Sequence, residues 1–121
     1  MKHFSIVIVA LAACVLATAP ARAHTHLERA SPAVGSTLAA APAEVVLWFT
    51  ESLEPAFSSI EVRNASGAAM HADRSSVDPK QRTQLRVPLK ALPPGTYKVI
   101  WRVLTVDTHR TQGDFTFHVA P

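Results

Sequence analysis

The feature that most restricts the fold is a two-residue apolar period that recurs along the chain with no convincing helical period to compete with it. Its clearest instance follows the turn signal Pro93-Pro94-Gly95, where Tyr97, Val99, Trp101 and Val103 share one face of an extended segment and Lys98 and Arg102 mark the other. Glu44 to Thr50 alternates in the same way, with Val45, Leu47 and Phe49 on one face and Val46, Trp48 and Thr50 on the other. Ser59 to Asn64 turns Ile60 and Val62 inward and closes on Asn64-Ala65-Ser66-Gly67. Gln84 to Leu89 and Asp114 to Val119 repeat the pattern, the latter burying Phe115, Phe117 and Val119. The one weak helical stretch, Ser52 to Ser58, is interrupted by Pro55. Short alternating strands separated by turns predict an all-β domain, an antiparallel sandwich of two sheets with an immunoglobulin-like outline.

Residues 1–23 read as a secretory signal, with a short basic start at Lys2 and His3, an apolar run from Phe4 to Ala17, and a small-x-small cleavage site at Ala21-Arg22-Ala23. Cleavage there predicts one mature domain, 24–121, which is large enough for a two-layer core and too small for two. It also removes Lys2 and Arg22, so 12 basic residues fall to 10 against 9 acidic ones and the formal charge drops from +3 to +1. Arg74, Lys80, Arg82, Arg86 and Lys90 are interspersed with Asp73 and Asp78, which argues for a solvated surface and against a nucleic-acid stripe. The single cysteine, Cys14, lies inside the apolar run, so the mature domain is predicted to have no disulfide and to rely on packing. Leu11-Ala12-Ala13-Cys14 also fits a lipoprotein cleavage pattern, but the apolar run continues through Val15, Leu16 and Ala17 to the conventional site. No other segment approaches the roughly 20 apolar residues that a membrane-spanning helix needs, so no mature span is expected.

Cleavage after Ala23 makes His24 the first residue, and its α-amine and imidazole can then chelate one metal ion together. An α-amine loses its proton nearer neutrality than a lysine does. Asp107 and His109, two residues apart, would add a carboxylate and an imidazole on one side of the backbone if the chain is extended there. Three nitrogens and one carboxylate oxygen, without thiolates, suit Cu(II) in tetragonal geometry, whereas zinc prefers a tetrahedron.

From His24 onward the chain resembles the CopC family of periplasmic copper-binding proteins, particularly its compact stand-alone branch. The matching segments are His24-Thr25-His26-Leu27, Ser31-Pro32-Ala33, Phe49-Thr50-Glu51 with Glu54-Pro55-Ala56-Phe57, the run Pro94 to Val103, Val106-Asp107-Thr108-His109, and Gly113 to Phe117. The resemblance implies a Greek-key β-sandwich or barrel of about seven strands that binds Cu(II), one ion per chain, through His24, Asp107 and His109. The family's glutamate in its Phe-Ser-Glu stretch falls on Glu51, here preceded by Thr50. That glutamate lies near copper in relatives, which makes Glu51 either a partner that orients a ligand or an ordinary residue at a strand end. Members with methionine-rich loops also bind Cu(I). Here only Met70 remains after processing, so a Cu(II)-only protein is predicted and Met70 is read as a packing or loop residue.

His26 is a further candidate, because a free amine followed by histidine at the third position can wrap Cu(II) through two deprotonated amides. His118, between Phe117 and Val119, is expected on the solvent face of its strand. The predicted role is periplasmic capture of Cu(II), for buffering or for delivery to an inner-membrane copper transporter or another periplasmic copper protein, without catalysis. Two other classes fit parts of the pattern. A copper-dependent oxidative enzyme also begins with a copper-binding histidine, but Asp107 would add a carboxylate to the metal, and Trp48, Tyr97 and Trp101 all lie in strands, leaving no flat aromatic platform. A metal-free sandwich module would use its edge strands to pair with a partner.

Overall fold

The computed structural model describes residues 26–121; the predicted export signal, Cys14 and His24 lie outside the described residues. Eight strands follow one another: β1 (Leu27–Ser31), β2 (Thr37–Leu38), β3 (Glu44–Phe49), β4 (Ser59–Arg63), β5 (Ser76–Val77), β6 (Gln84–Pro88), β7 (Gly95–Leu104) and β8 (Arg110–Val119). They form two four-stranded sheets, ordered β1-β3-β6-β5 and β2-β8-β7-β4. Every pairing is antiparallel except that of β2 with β8. Between β3 and β4 the chain makes a single 3₁₀ turn, Pro55–Phe57, at the stretch whose helical pattern Pro55 interrupts. No helix among the described residues is long and apolar enough to cross a membrane.

The alternation read from the sequence is the core. Val45, Leu47 and Phe49 of one sheet meet Val99, Trp101, Val103, Phe115 and Phe117 of the other, and all of these are buried. Phe49 packs edge-on against Trp101 at 5.1 Å between ring centres, and Tyr97 stacks on Phe117 at 5.5 Å. Such aromatic pairs contribute about 0.5–1.5 kcal/mol beyond the area they bury. Gly113 lies opposite Trp101 in the β7–β8 ladder, and the absence of a side chain there is what lets the indole close over the strand.

Three strands have no legible period. β2 and β5 are two residues long, and β1 exposes Glu28, Arg29 and Ser31, so neither length nor alternation announces them. β8 starts at Arg110, four residues before the apolar alternation begins, because the backbone ladder to β7 continues through Leu104↔Arg110 regardless of side-chain polarity. His118 is on the outer face as expected, with its Nδ1 2.8 Å from the Thr96 hydroxyl across the ladder. Met70 packs half-buried against the core.

Candidate metal centre

Two loops meet at the end of the sandwich where β3 and β7 finish. The segment after β3 lies alongside the end of β7, bound by Glu54 N–H to the Leu104 carbonyl at 2.8 Å and by Val106 N–H to the Ser52 carbonyl at 3.0 Å. Leu53 and Thr105 form an antiparallel bridge between them, and both are fully buried. This lateral contact carries Glu51 to the turn that holds Asp107 and His109. One ligand atom from each of Glu51, Asp107 and His109 lies within 4.8 Å of the other two. Asp107 and His109 are exposed and Glu51 is half-buried, so the group opens to solvent.

Asp107 and His109 converge by a route the spacing alone did not indicate. The chain is not extended there but turns tightly between β7 and β8, with Thr108 N–H donating to the Thr105 carbonyl at 2.9 Å and Thr105 N–H to the His109 carbonyl at 2.9 Å. Thr108 takes a left-handed conformation, φ 73°, unusual for a β-branched residue. That reversal brings the His109 Nδ1 to 3.3 Å from the Asp107 Oδ1. The Asp107 carboxyl is held below the usual carboxylate range, chiefly because the Thr105 hydroxyl donates to it; the His109 ring and contact with Glu51 act in the same direction, while partial desolvation opposes them. A carboxylate kept ionised beside an imidazole is a ready pair of donors for a divalent cation.

His26 reaches this end of the sandwich through its backbone. Its N–H donates to the Thr50 Oγ1 at 3.1 Å, and Thr50 N–H returns to the His26 carbonyl at 3.1 Å. The described chain therefore begins one residue away from Glu51 across this pairing. Of the residues singled out in the sequence, Asp107, His109 and Glu51 are brought together, His26 is tied beside them, and His24 lies outside the described residues. Thr105 is the residue that motif reading missed. Its hydroxyl is bound to both ends of the Asp-Thr-His turn, yet a threonine at the end of a strand gives no sign of this in sequence.

A two-sheet β-sandwich with a carboxylate–imidazole cluster at one end defines the class, and sequence and fold comparisons supply the family. The CopC domain model matches residues 27–120, and the chain belongs to the CopC family. It is 40% identical over 108 residues to Protein YobA of Escherichia coli (strain K12), covering 86% of this chain and 85% of that protein. It is 38% identical over 116 residues to Copper resistance protein C of Pseudomonas syringae pv. tomato, covering 89% and 90% respectively. Among solved structures it is similar to CopC from Methylosinus trichosporium OB3b, with a TM-score of 0.76, 33% identity, and coverage of 81% of this chain and 95% of that one.

Proposed function

We propose that this is an exported copper-handling protein whose mature form, starting at His24, holds one Cu(II) ion through the His24 amine and imidazole, the Asp107 carboxylate and the His109 imidazole. Glu51 stands beside these donors and accepts a hydrogen bond from, or orients, a ligand. The observation that carries this reading is the convergence of Glu51, Asp107 and His109 within 4.8 Å at the end of the sandwich where His26 is bound to Thr50. In the mature form His24 would be two residues, at most about 7 Å of chain, from that anchor. The kinship with Copper resistance protein C gives the cation its identity, and a donor set of nitrogen and carboxylate without thiolate suits the cupric state.

The competing wrap by His24-Thr25-His26 requires the His26 amide nitrogen as a ligand. That N–H already serves Thr50, so the wrap would have to break a bond that the folded-site arrangement keeps. Copper is cargo here, taken up in the periplasm and passed to another copper-handling protein such as an inner-membrane transporter, with no catalytic step. Binding displaces protons from the nitrogen donors and weakens as pH falls.

Intact-mass analysis of the exported protein, with and without copper, should show the loss of residues 1–23 and the gain of one copper per chain. Competition titration should show a saturable site that weakens in His109→Ala, with a changed electron paramagnetic resonance spectrum, and in a variant carrying one extra residue before His24. The absence of a saturable Cu(II) site at neutral pH would refute the reading; an unchanged His109→Ala spectrum would favour the amino-terminal wrap.

A further inference from the structure

We infer that Thr105 is the positioning residue of the copper site, its hydroxyl setting the distance and angle between the Asp107 carboxylate and the His109 imidazole. The inference rests on the cupric-site reading above. Asp107 and His109 belong to neither β7 nor β8, so no sheet ladder fixes their side chains relative to each other. Thr105 supplies what the ladder does not. Its side chain is fully buried, with 0% exposure, and its backbone is bridged to Leu53, which makes it a rigid point beneath an exposed turn.

A hydroxyl has one proton to donate and lone pairs to accept with, and Thr105 uses both kinds of capacity on this turn. The proton goes to the Asp107 carboxylate. A lone pair receives the His109 N–H at 3.0 Å. One buried oxygen therefore grips the residue on either side of Thr108, whose left-handed backbone, φ 73°, would otherwise favour relaxation of the turn. Asp107 and His109 are themselves exposed, so water can solvate their polar groups when either bond is lost but does not reproduce their mutual geometry. Thr105 is thus expected to act more on metal affinity than on folding, as hydrogen-bond partners of metal ligands do when their loss costs about 10–100-fold in affinity.

The test compares Thr105→Val, which keeps the shape and removes the hydroxyl, with Thr105→Ser, which keeps the hydroxyl. Cu(II) affinity by competition titration, the electron paramagnetic resonance spectrum of the loaded protein, and thermal unfolding of the copper-free protein are read for each. Thr105→Val should bind Cu(II) about 10–100-fold more weakly with an altered spectrum, and Thr105→Ser should restore both. Unchanged affinity and spectrum in Thr105→Val, or equal losses in both variants, would overturn the inference. If Thr105→Val does not fold, amide exchange in the wild-type copper-free protein decides: the His109 N–H should be protected, and exchange at the rate of an open chain would overturn the assignment. Asp107→Asn and His109→Ala run in parallel identify the other failure. If neither weakens copper binding, the site reading itself falls and takes this inference with it, whereas losses in both with an unaffected Thr105→Val count against Thr105 alone.

Discussion

His26 and Thr50 bind each other in both directions, the His26 N–H to the Thr50 hydroxyl and the Thr50 N–H to the His26 carbonyl, each at 3.1 Å. Only the first of these depends on a side chain. It holds the beginning of the described chain against the loop that carries Glu51, so the proposed site predicts an effect of Thr50 on copper affinity although no atom of Thr50 is a proposed ligand.

Thr50→Val removes that hydroxyl at nearly constant volume. A hydrogen bond of this kind contributes about 0.5–1.5 kcal/mol, so Cu(II) affinity should fall about two- to tenfold, while His109→Ala, which deletes a proposed ligand, should lose more. Competition titration of the two variants side by side measures the difference. Equal affinity of Thr50→Val and wild type would show that this anchor does not help to present the amino-terminal donors.

Thr108→Gly should stabilise the copper-free protein. A left-handed conformation costs a β-branched residue roughly 1–2 kcal/mol, and glycine relieves it while losing about 0.5–1 kcal/mol through greater freedom in the unfolded chain. The expected net gain, up to about 1.5 kcal/mol, would raise the urea midpoint with an unchanged slope. A lower midpoint would mean that the bond from the Thr108 hydroxyl to the Asp107 carbonyl, 2.5 Å, outweighs the backbone strain.

Gly113→Ala should destabilise the fold. A Cβ at this position would stand 2.5 Å from Trp101 Cζ2 and 2.9 Å from Cε2, and the indole is also packed edge-on against Phe49. Overpacking of this kind costs about 1–3 kcal/mol. Urea unfolding reads it directly, and a loss below the error of the measurement would show that the ring can move aside.

Asp78 should make stability depend on pH at the acid end. Its Oδ1 accepts the N–H groups of Lys80 at 2.8 Å and Gln81 at 3.0 Å, and these two bonds are the main reason its carboxyl is held below the usual range, with Arg86 adding a weaker attraction. Because the folded value is depressed, the carboxylate stabilises the fold fully above the unfolded-chain value. That contribution is lost as pH falls through the unfolded value and then the folded one. Asp78→Asn should therefore be less stable than wild type near neutrality and converge with it in acid. A constant difference across the acid range in chemical unfolding would contradict the assignment.

The main strands could be read from sequence because their signal is local. Tyr97 to Val103 and Asp114 to Val119 each show their buried face within a few residues, since alternation follows from strand geometry itself. β1, β2 and β5 could not be read that way. They exist because a neighbouring strand offers unpaired backbone groups, as His118 and Val119 do for Thr37 and Leu38, and backbone pairing leaves no trace in side-chain pattern. The same division runs through the site. Asp107 and His109 stood out as a pair, but the extended geometry expected for them is replaced by a turn, and Glu51 could be attached to them only through resemblance.

The sequence by itself determined the all-β class, the core residues of the main strands and the chemical types of the candidate donors, because each follows from periodicity or from what a side chain can offer a cation. Only the tertiary structure decided that Glu51, 56 positions before Asp107, shares its surroundings, and that a buried hydroxyl at Thr105 holds the turn. The reason is physical: Leu53 and Thr105 pair through backbone bonds between segments far apart in the chain, and contacts of that kind come into being only when the two sheets have closed on their common core.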